Sequence, residues 1–290
     1  MSNLENISVF NISPSDTARF RKIVIDVLSE SCRMPEGDGE EYGGIGTLGE
    51  KQMHAAIKRF ICPDESCHEI LLDGSEGFIA SNDENTKKRR FVADILCKNT
   101  VYEIQTGGFA PLKNKIQWIL DNTSYNIVVI HPIAETKWIS YINKSSGSIE
   151  RRTKSPQKGN FADIASDLFF FRDFLSSPRF SLVLLMMEAE EYRKNVASAK
   201  ARRPRYRKYE MIPISLLRTY IFKGVESYRL FIPDELDEPF TVKEYSSKSK
   251  IRGLDAYSIT KTLCMLGLLE ECGKRGRAIV YKRAQSAGKQ

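Results

Sequence analysis

Two runs of strand-forming residues, Phe91-Val92-Ala93-Asp94-Ile95-Leu96-Cys97 and Val101-Tyr102-Glu103-Ile104-Gln105-Thr106, are separated only by Lys98-Asn99-Thr100. A link this short leaves room for nothing but a tight turn, so the two strands pair antiparallel. With Lys98-Asn99 as a two-residue turn, Cys97 faces Thr100, Asp94 faces Glu103 and Val92 faces Gln105. Opposed side chains on a sheet lie about 5 Å apart, and like charges placed there repel. Two carboxylates among valine, isoleucine, leucine and tyrosine are therefore a stability defect, unless a divalent cation bridges them. The plainer reading of the same residues is an ordinary hairpin with salt-bridged acids. Strand alternation puts Glu103 and Gln105 on one face and Tyr102 and Ile104 on the other.

The flanking segments read as α/β. Ser13-Pro14 opens a helix whose apolar residues, Phe20, Ile23, Val24, Val27 and Leu28, recur at helical spacing and end near Ser31. A glycine-rich acidic loop follows, then a second helix from about Leu48 to Phe60 with Met53, Ile57 and Phe60 as its stripe. Glu50 lies only some 20° around that helix from Ile57, so this acid borders the buried face. A strand at Glu69–Leu72, a polar insertion, the hairpin, a helix from Pro111 to about Leu120 and strands at Asn126–His131 and Lys137–Ile142 complete the pattern. The order helix, three strands, helix, strand predicts a mixed sheet flanked by helices. This domain is expected to span 1–193, ending after the apolar run Leu182–Met187.

Residues 194–209 carry Arg202, Arg203 and Arg205 among seven basic side chains, with no apolar periodicity. They read as a basic linker, either solvated or touching phosphate. Residues 210–290 form the second expected domain. Ile214–Phe222, Thr241–Ser249 and Ala256–Leu266 read as three helices, and Leu268–Cys272 and Ala278–Lys282 as a hairpin around Gly273-Lys274-Arg275-Gly276. This sequence of elements resembles a winged helix-turn-helix. In that arrangement the third helix presents Ser258, Lys261 and Thr262 to a major groove, and Lys274 and Arg275 at the hairpin tip meet the DNA backbone. The shape also serves as a protein-docking module.

The net charge of +7 suits a polyanionic partner. No apolar run approaches a membrane span and no secretory leader is visible, so a cytoplasmic location away from membranes is expected. The six cysteines are scattered, and reduced thiols are the expectation. Cys62, Cys67 and His68 cluster, with His54 nearby, but a second clean pair of zinc ligands is missing. They read as incidental small residues.

Asp94 and Glu103 with the residue two positions later, on adjacent strands after a helix bearing Glu50, resemble the PD-(D/E)xK nuclease superfamily. The segments Gly49–His54, Val92–Ile95 and Glu103–Thr106 are also similar to a group of bacterial proteins that carry this domain before a winged helix. The resemblance implies a restriction-endonuclease-like mixed sheet and a metal-dependent DNA endonuclease. Mg2+ or Mn2+ would be held by Asp94, Glu103 and the Ile104 carbonyl, with Glu50 supporting the metal or a bound water. Duplex DNA is the implied partner, and a homodimer is compatible with it. Ala93 stands where the family often has proline. Gln105 stands where it usually has a lysine that orients or activates the attacking water; glutamine can hydrogen-bond that water but carries no charge. Lys113 or Lys115 either supplies a displaced positive charge or, as a DNA-binding residue, contacts phosphate or is simply solvated. The competing class is a non-catalytic DNA-binding protein or regulator on the same fold.

Overall fold

The computed structural model describes residues 9–31, 48–72, 90–143, 148–196 and 205–284. Strand β1 (Val9–Asn11) leads into α1 (Pro14–Ser31), whose first turn is capped by Ser13: its hydroxyl accepts from the Asp16 amide at 3.1 Å. Then come α2 (Leu48–Ile61), β2 (His68–Leu72), β3 (Phe91–Cys97), β4 (Thr100–Ile104), α3 (Lys113–Asn122) and β5 (Asn126–Ile142). The predicted order of helix, three strands, helix and strand is thus observed. Strand β6 (Ile149–Lys154), the single helical turn α4 (Leu168–Phe171), β7 (Phe180–Asn195) and β8 (Tyr206–Lys223) follow.

These strands make one mixed sheet in the order β1-β8-β7-β5-β4-β3-β2, with β6 pairing the far half of β5. Among the described residues, parallel pairing is confined to β4 with β5 and β5 with β7. Both of those connections pass through helical segments, as parallel crossovers require. Both faces of the sheet are covered. On one, Phe20, Val24 and Val27 of α1 and Met53, Ile57 and Phe60 of α2 pack on Ile104, Ile130, Leu185 and Leu216. On the other, Ile116 and Ile119 of α3, with Phe109, Phe171, Phe174 and Phe180, cover Val101, Ile127, Val129 and Leu182.

Three expectations change. Ile214–Phe222 is not a helix but part of β8, which pairs antiparallel with β7 from Ser181–Lys223 to Asn195–Tyr206. The described ends of the expected linker, 194–196 and 205–209, continue that same pairing: Val196 donates to the Arg205 carbonyl at 2.7 Å, extending the ladder. The main sheet therefore runs to Lys223 rather than ending at Arg193, and the chain leaves it at Gly224, whose φ of +71° suits glycine. Arg202 and Arg203 lie outside the described residues. Finally, the two strands expected on either side of Pro132 are one strand, β5, with a register shift between Ala134 and Thr136.

Gly159 packs against that irregular stretch. Its amide donates to Ala134 O at 3.1 Å, and a Cβ there would sit 2.7 Å from both that oxygen and Ile133 Cγ2. Gly159→Ala should lower stability by about 1–3 kcal/mol, read as a lower denaturant midpoint at unchanged slope.

The C-terminal part is smaller. A 3-10 segment, Val225–Phe231, precedes β9 (Phe240–Thr241), α5 (Val242–Ser249), α6 (Gly253–Met265), β10 (Leu269–Arg275) and β11 (Ala278–Arg283). Its antiparallel sheet has the order β10-β11-β9. Thr241 and Glu244 form a reciprocal capping box at the start of α5. Two of the three expected helices are thus present, α5 and α6, together with the basic hairpin. Tyr245, Ile259, Leu263 and Tyr281 belong to the same apolar cluster as Phe109 and Phe171, so this part shares its core with the sheet. No helix among the described residues is long and apolar enough to cross a membrane.

Candidate functional site

The β3–β4 turn is the one the spacing predicts. Lys98 and Asn99 have φ of +47° and +61°, the left-handed pair that a two-residue hairpin demands. The ladder is regular from Cys97–Thr100 to Ile95–Tyr102 and stops there, one pair short of Asp94 and Glu103. Asp94 explains the stop. Its Oδ2 accepts from the Ile104 backbone amide at 2.7 Å, so a side chain takes the place of a main-chain partner and the strands part.

The same oxygen meets His54 Nε2 at 3.1 Å. A carboxylate only accepts, so Nε2 is the donor. His54 sits on α2 four residues after Glu50, which places the two on one helix face. Burial works against ionisation of Asp94. The His54 hydrogen bond and charge, the Ile104 amide and Lys115 outweigh it and hold the carboxyl below its ordinary range.

Glu103 behaves oppositely. It is 2% exposed, and its Oε2 receives Lys115 Nζ at 2.5 Å, while Nζ also donates to Val92 O at 2.6 Å. Glu103 Oε1 is buried and has no hydrogen-bond partner among the described residues. Burial pushes this carboxyl up to about 7, against the pull of Lys115 and with a further push from Asp94. Two acids on neighbouring strands thus bind protons very differently. The Ile104 N–H points to Asp94, and since a strand residue's N–H and C=O share a flank, its carbonyl opens on the β3 side of β4.

Gln105 does not join them. Its Nε2 donates to Gly108 O at 2.7 Å, folding the amide back onto its own loop. Its main chain is held by β5: the amide donates to Ile130 O at 2.9 Å, and its carbonyl accepts from His131 Nδ1 at 2.5 Å. The next β5 residue that would donate toward β4 is Pro132, which has no N–H, so the imidazole supplies the bond that proline cannot. The following residues are pinned as well, Phe109 N donating to Asp167 Oδ1 at 3.2 Å. Of the two candidate lysines, Lys115 reaches the acids, whereas Lys113 pairs with Asp173 at 3.2 Å. Glu50 lies in the first turn of α2; its side chain is outside the described residues.

The expected DNA contacts divide similarly. Ser258 is half-buried and Lys261 pairs with Glu271 at 2.6 Å. Thr262 cannot face a groove: it is fully buried and donates to Ser258 O at 2.9 Å. At the hairpin, Lys274 is exposed, while Arg275 turns back to Glu244 at 2.6 Å and to Pro239 O at 2.8 Å. Arg205, also exposed, lies beside β8 rather than in a linker.

His54, which sequence reasoning set only beside the cysteines, and His131 are the residues that it did not assign to this site. The signal for His54 was its four-residue spacing from Glu50; His131 is placed by strand pairing alone.

Comparison with known proteins finds no matching solved structure. The chain is similar to an uncharacterised protein of Treponema pallidum (strain Nichols), 24% identical over 243 residues that cover 82% of this chain and 87% of that one. Residues 51–223 match a family model described as a domain of unknown function, DUF8091. That span holds His54, Asp94, Glu103 and Lys115 and ends with the last residue of β8; the chain belongs to the DUF8091 family.

Proposed function

We propose that this protein is a metal-dependent deoxyribonuclease of the PD-(D/E)xK type, docked on DNA by its C-terminal part. One observation carries the reading. Asp94 captures the Ile104 amide where the β3–β4 ladder opens, its charge is felt by Glu103 on the next strand, and a buried Glu103 oxygen has no hydrogen-bond partner among the described residues. Such an atom is costly unless something positive meets it. These are hard oxygen donors, and they fit a magnesium or manganese ion that keeps several of its waters. Such an ion supplies Lewis acidity and a water of lowered pKa for attack on phosphorus.

The chain's own residues do the rest. His54 orients Asp94 through Nε2 and keeps it ionised. Lys115 places a positive charge 2.5 Å from Glu103, a charge that Gln105 cannot supply. Gln105, held on Gly108, serves to shape the loop. Helices α5 and α6 with the β9–β11 sheet support a winged-helix reading of the C-terminal part, with Ser258, Lys261 and Lys274 left to meet DNA. Arg275 would have to give up Glu244 to do so.

The test is incubation of the purified protein with supercoiled plasmid and with branched and single-stranded DNA, in magnesium or manganese, beside Asp94→Ala. Cleavage by the wild type, lower by about 100-fold or more in the variant at equal DNA binding, is expected. No cleavage of any substrate, with DNA bound equally by both proteins, would favour the non-catalytic DNA-binding reading instead.

A further inference from the structure

Three thiols from different elements meet beside the sheet. Cys62 follows the last turn of α2, Cys67 closes the helical turn Glu65–Cys67, and Cys97 ends β3. The β2–β3 register, with His68 beside Ile95, brings Cys67 to the end of β3 that holds Cys97. The three sulfur atoms lie within 4.8 Å of one another.

The loop that carries two of them is ordered by contacts of its own. Asp64 Oδ1 accepts from the Ser66 amide at 3.0 Å and hydroxyl at 2.7 Å. The Cys67 amide donates to Asp64 O at 3.1 Å, and His68 Nε2 meets the Cys62 carbonyl at 2.9 Å. The main chain therefore brings the thiols together without help from a cross-link.

We propose that Cys62, Cys67 and Cys97 bind one zinc ion, its fourth position taken by water or an external donor. A disulfide would account for two of these thiols and leave the third over, whereas a soft-ligand cation uses all three. Zinc–sulfur bonds of about 2.3 Å at tetrahedral angles put sulfurs about 3.8 Å apart, so the cluster needs to contract by about 1 Å at most. Cys62 is buried while Cys67 and Cys97 are half-buried, which closes the cluster on the protein side and leaves an approach from water. On binding, each thiol releases its proton to solvent and a sulfur–zinc bond replaces the S–H bond; nothing is oxidised or reduced.

His54, the nearby histidine that the sequence offered as a further ligand, is committed to Asp94. The site is distinct from the oxygen donors: Asp94 is three strand residues from Cys97, about 10 Å along β3. It does have a consequence for them. The ion would tie the end of α2 to the end of β3, the two elements that carry His54 and Asp94, and fix their spacing. The site itself does not depend on the proposed nuclease activity.

The experiment is metal analysis and cobalt titration of the full chain, purified in reductant without chelator. About one zinc per chain is expected. After zinc is stripped, cobalt should produce thiolate-to-metal charge-transfer and tetrahedral ligand-field bands that added zinc bleaches. Cys97→Ser should weaken zinc binding at least about tenfold, a lost ligand costing no less than a lost supporting hydrogen bond. Because the titration uses the wild-type chain, it does not depend on a serine variant folding. Cobalt bands that persist after all three cysteines become serine would overturn the proposal. So would their absence from the wild type, or a disulfide between any two of the three in protein taken from cells.

Discussion

Replacing Glu103 by glutamine is expected to stabilise the metal-free protein at pH 8 while abolishing its response to magnesium. The carboxyl, ordinarily near 4.5, is pushed by burial to about 7. Between those values the folded chain holds a proton that the unfolded chain has released, so stability falls as pH rises through this window and levels off above it. A shift of that size corresponds to about 3 kcal/mol. Glutamine keeps the shape and carries no charge to bury, but it gives up the Lys115 ion pair, so a net gain of about 1–3 kcal/mol at pH 8 is expected. Near pH 4 the wild-type carboxyl is itself mostly protonated and the difference should vanish. For a chain of this size each kcal/mol moves the melting temperature by about 2–4 °C. Added magnesium should raise the wild-type melting temperature by mass action and leave the variant unmoved. A variant less stable than the wild type at pH 8 would mean that the pair with Lys115 is structural and that Glu103 is not held in reserve for a cation.

What the sequence revealed, and what it hid, follows from the range of the interactions involved. The α1 cap at Ser13-Pro14 and the Lys98-Asn99 turn are decided by a few adjacent residues, so both were legible and with them the strand pair that carries Asp94 and Glu103. The last step of that register was not. A side chain, Asp94, captures the Ile104 amide, and strand alternation has no way to express this. Strand β8 was misread because Ile214, Leu216, Leu217, Tyr220 and Ile221 recur at near-helical intervals. Its pairing with β7 has register shifts between Met186 and Met187 and between Glu188 and Ala189, and each shift breaks the alternation that marks a strand. Both faces are also used, Leu216 packing under α1 and α2 and Phe222 on the opposite side. Misreading β8 put the paired ends of β7 and β8 into the expected linker. Cys97 was not joined to Cys62 and Cys67 because only the pairing of β2 with β3 brings it to them.

Lys115, not Gln105, is expected to supply the positive charge at the proposed active site. Residues two apart on a helix point about 200° from each other, so only one of Lys113 and Lys115 can face β4. Lys115 precedes Trp118 and Ile119 by three and four residues, and both are buried, which turns its stem toward the sheet. Its side chain is 14% exposed and its ammonium reaches Glu103, while the Gln105 amide is spent on Gly108. Lys115→Met should therefore lower single-turnover cleavage by about 100-fold, and Gln105→Ala by only a few-fold. Lys115→Met also leaves Glu103 buried without its cation, so its carboxyl should rise further and the pH dependence of metal-stimulated cleavage should move to higher pH. Lys115→Arg keeps the charge and should recover part of both losses, which a purely packing role for the side chain would not produce. A lysine restored at the position of Gln105 in the Lys115→Met background tests the same idea from the other side, since it starts one strand residue beyond Ile104. Equal losses in Lys115→Met and Gln105→Ala would sink the assignment and return the role to the glutamine.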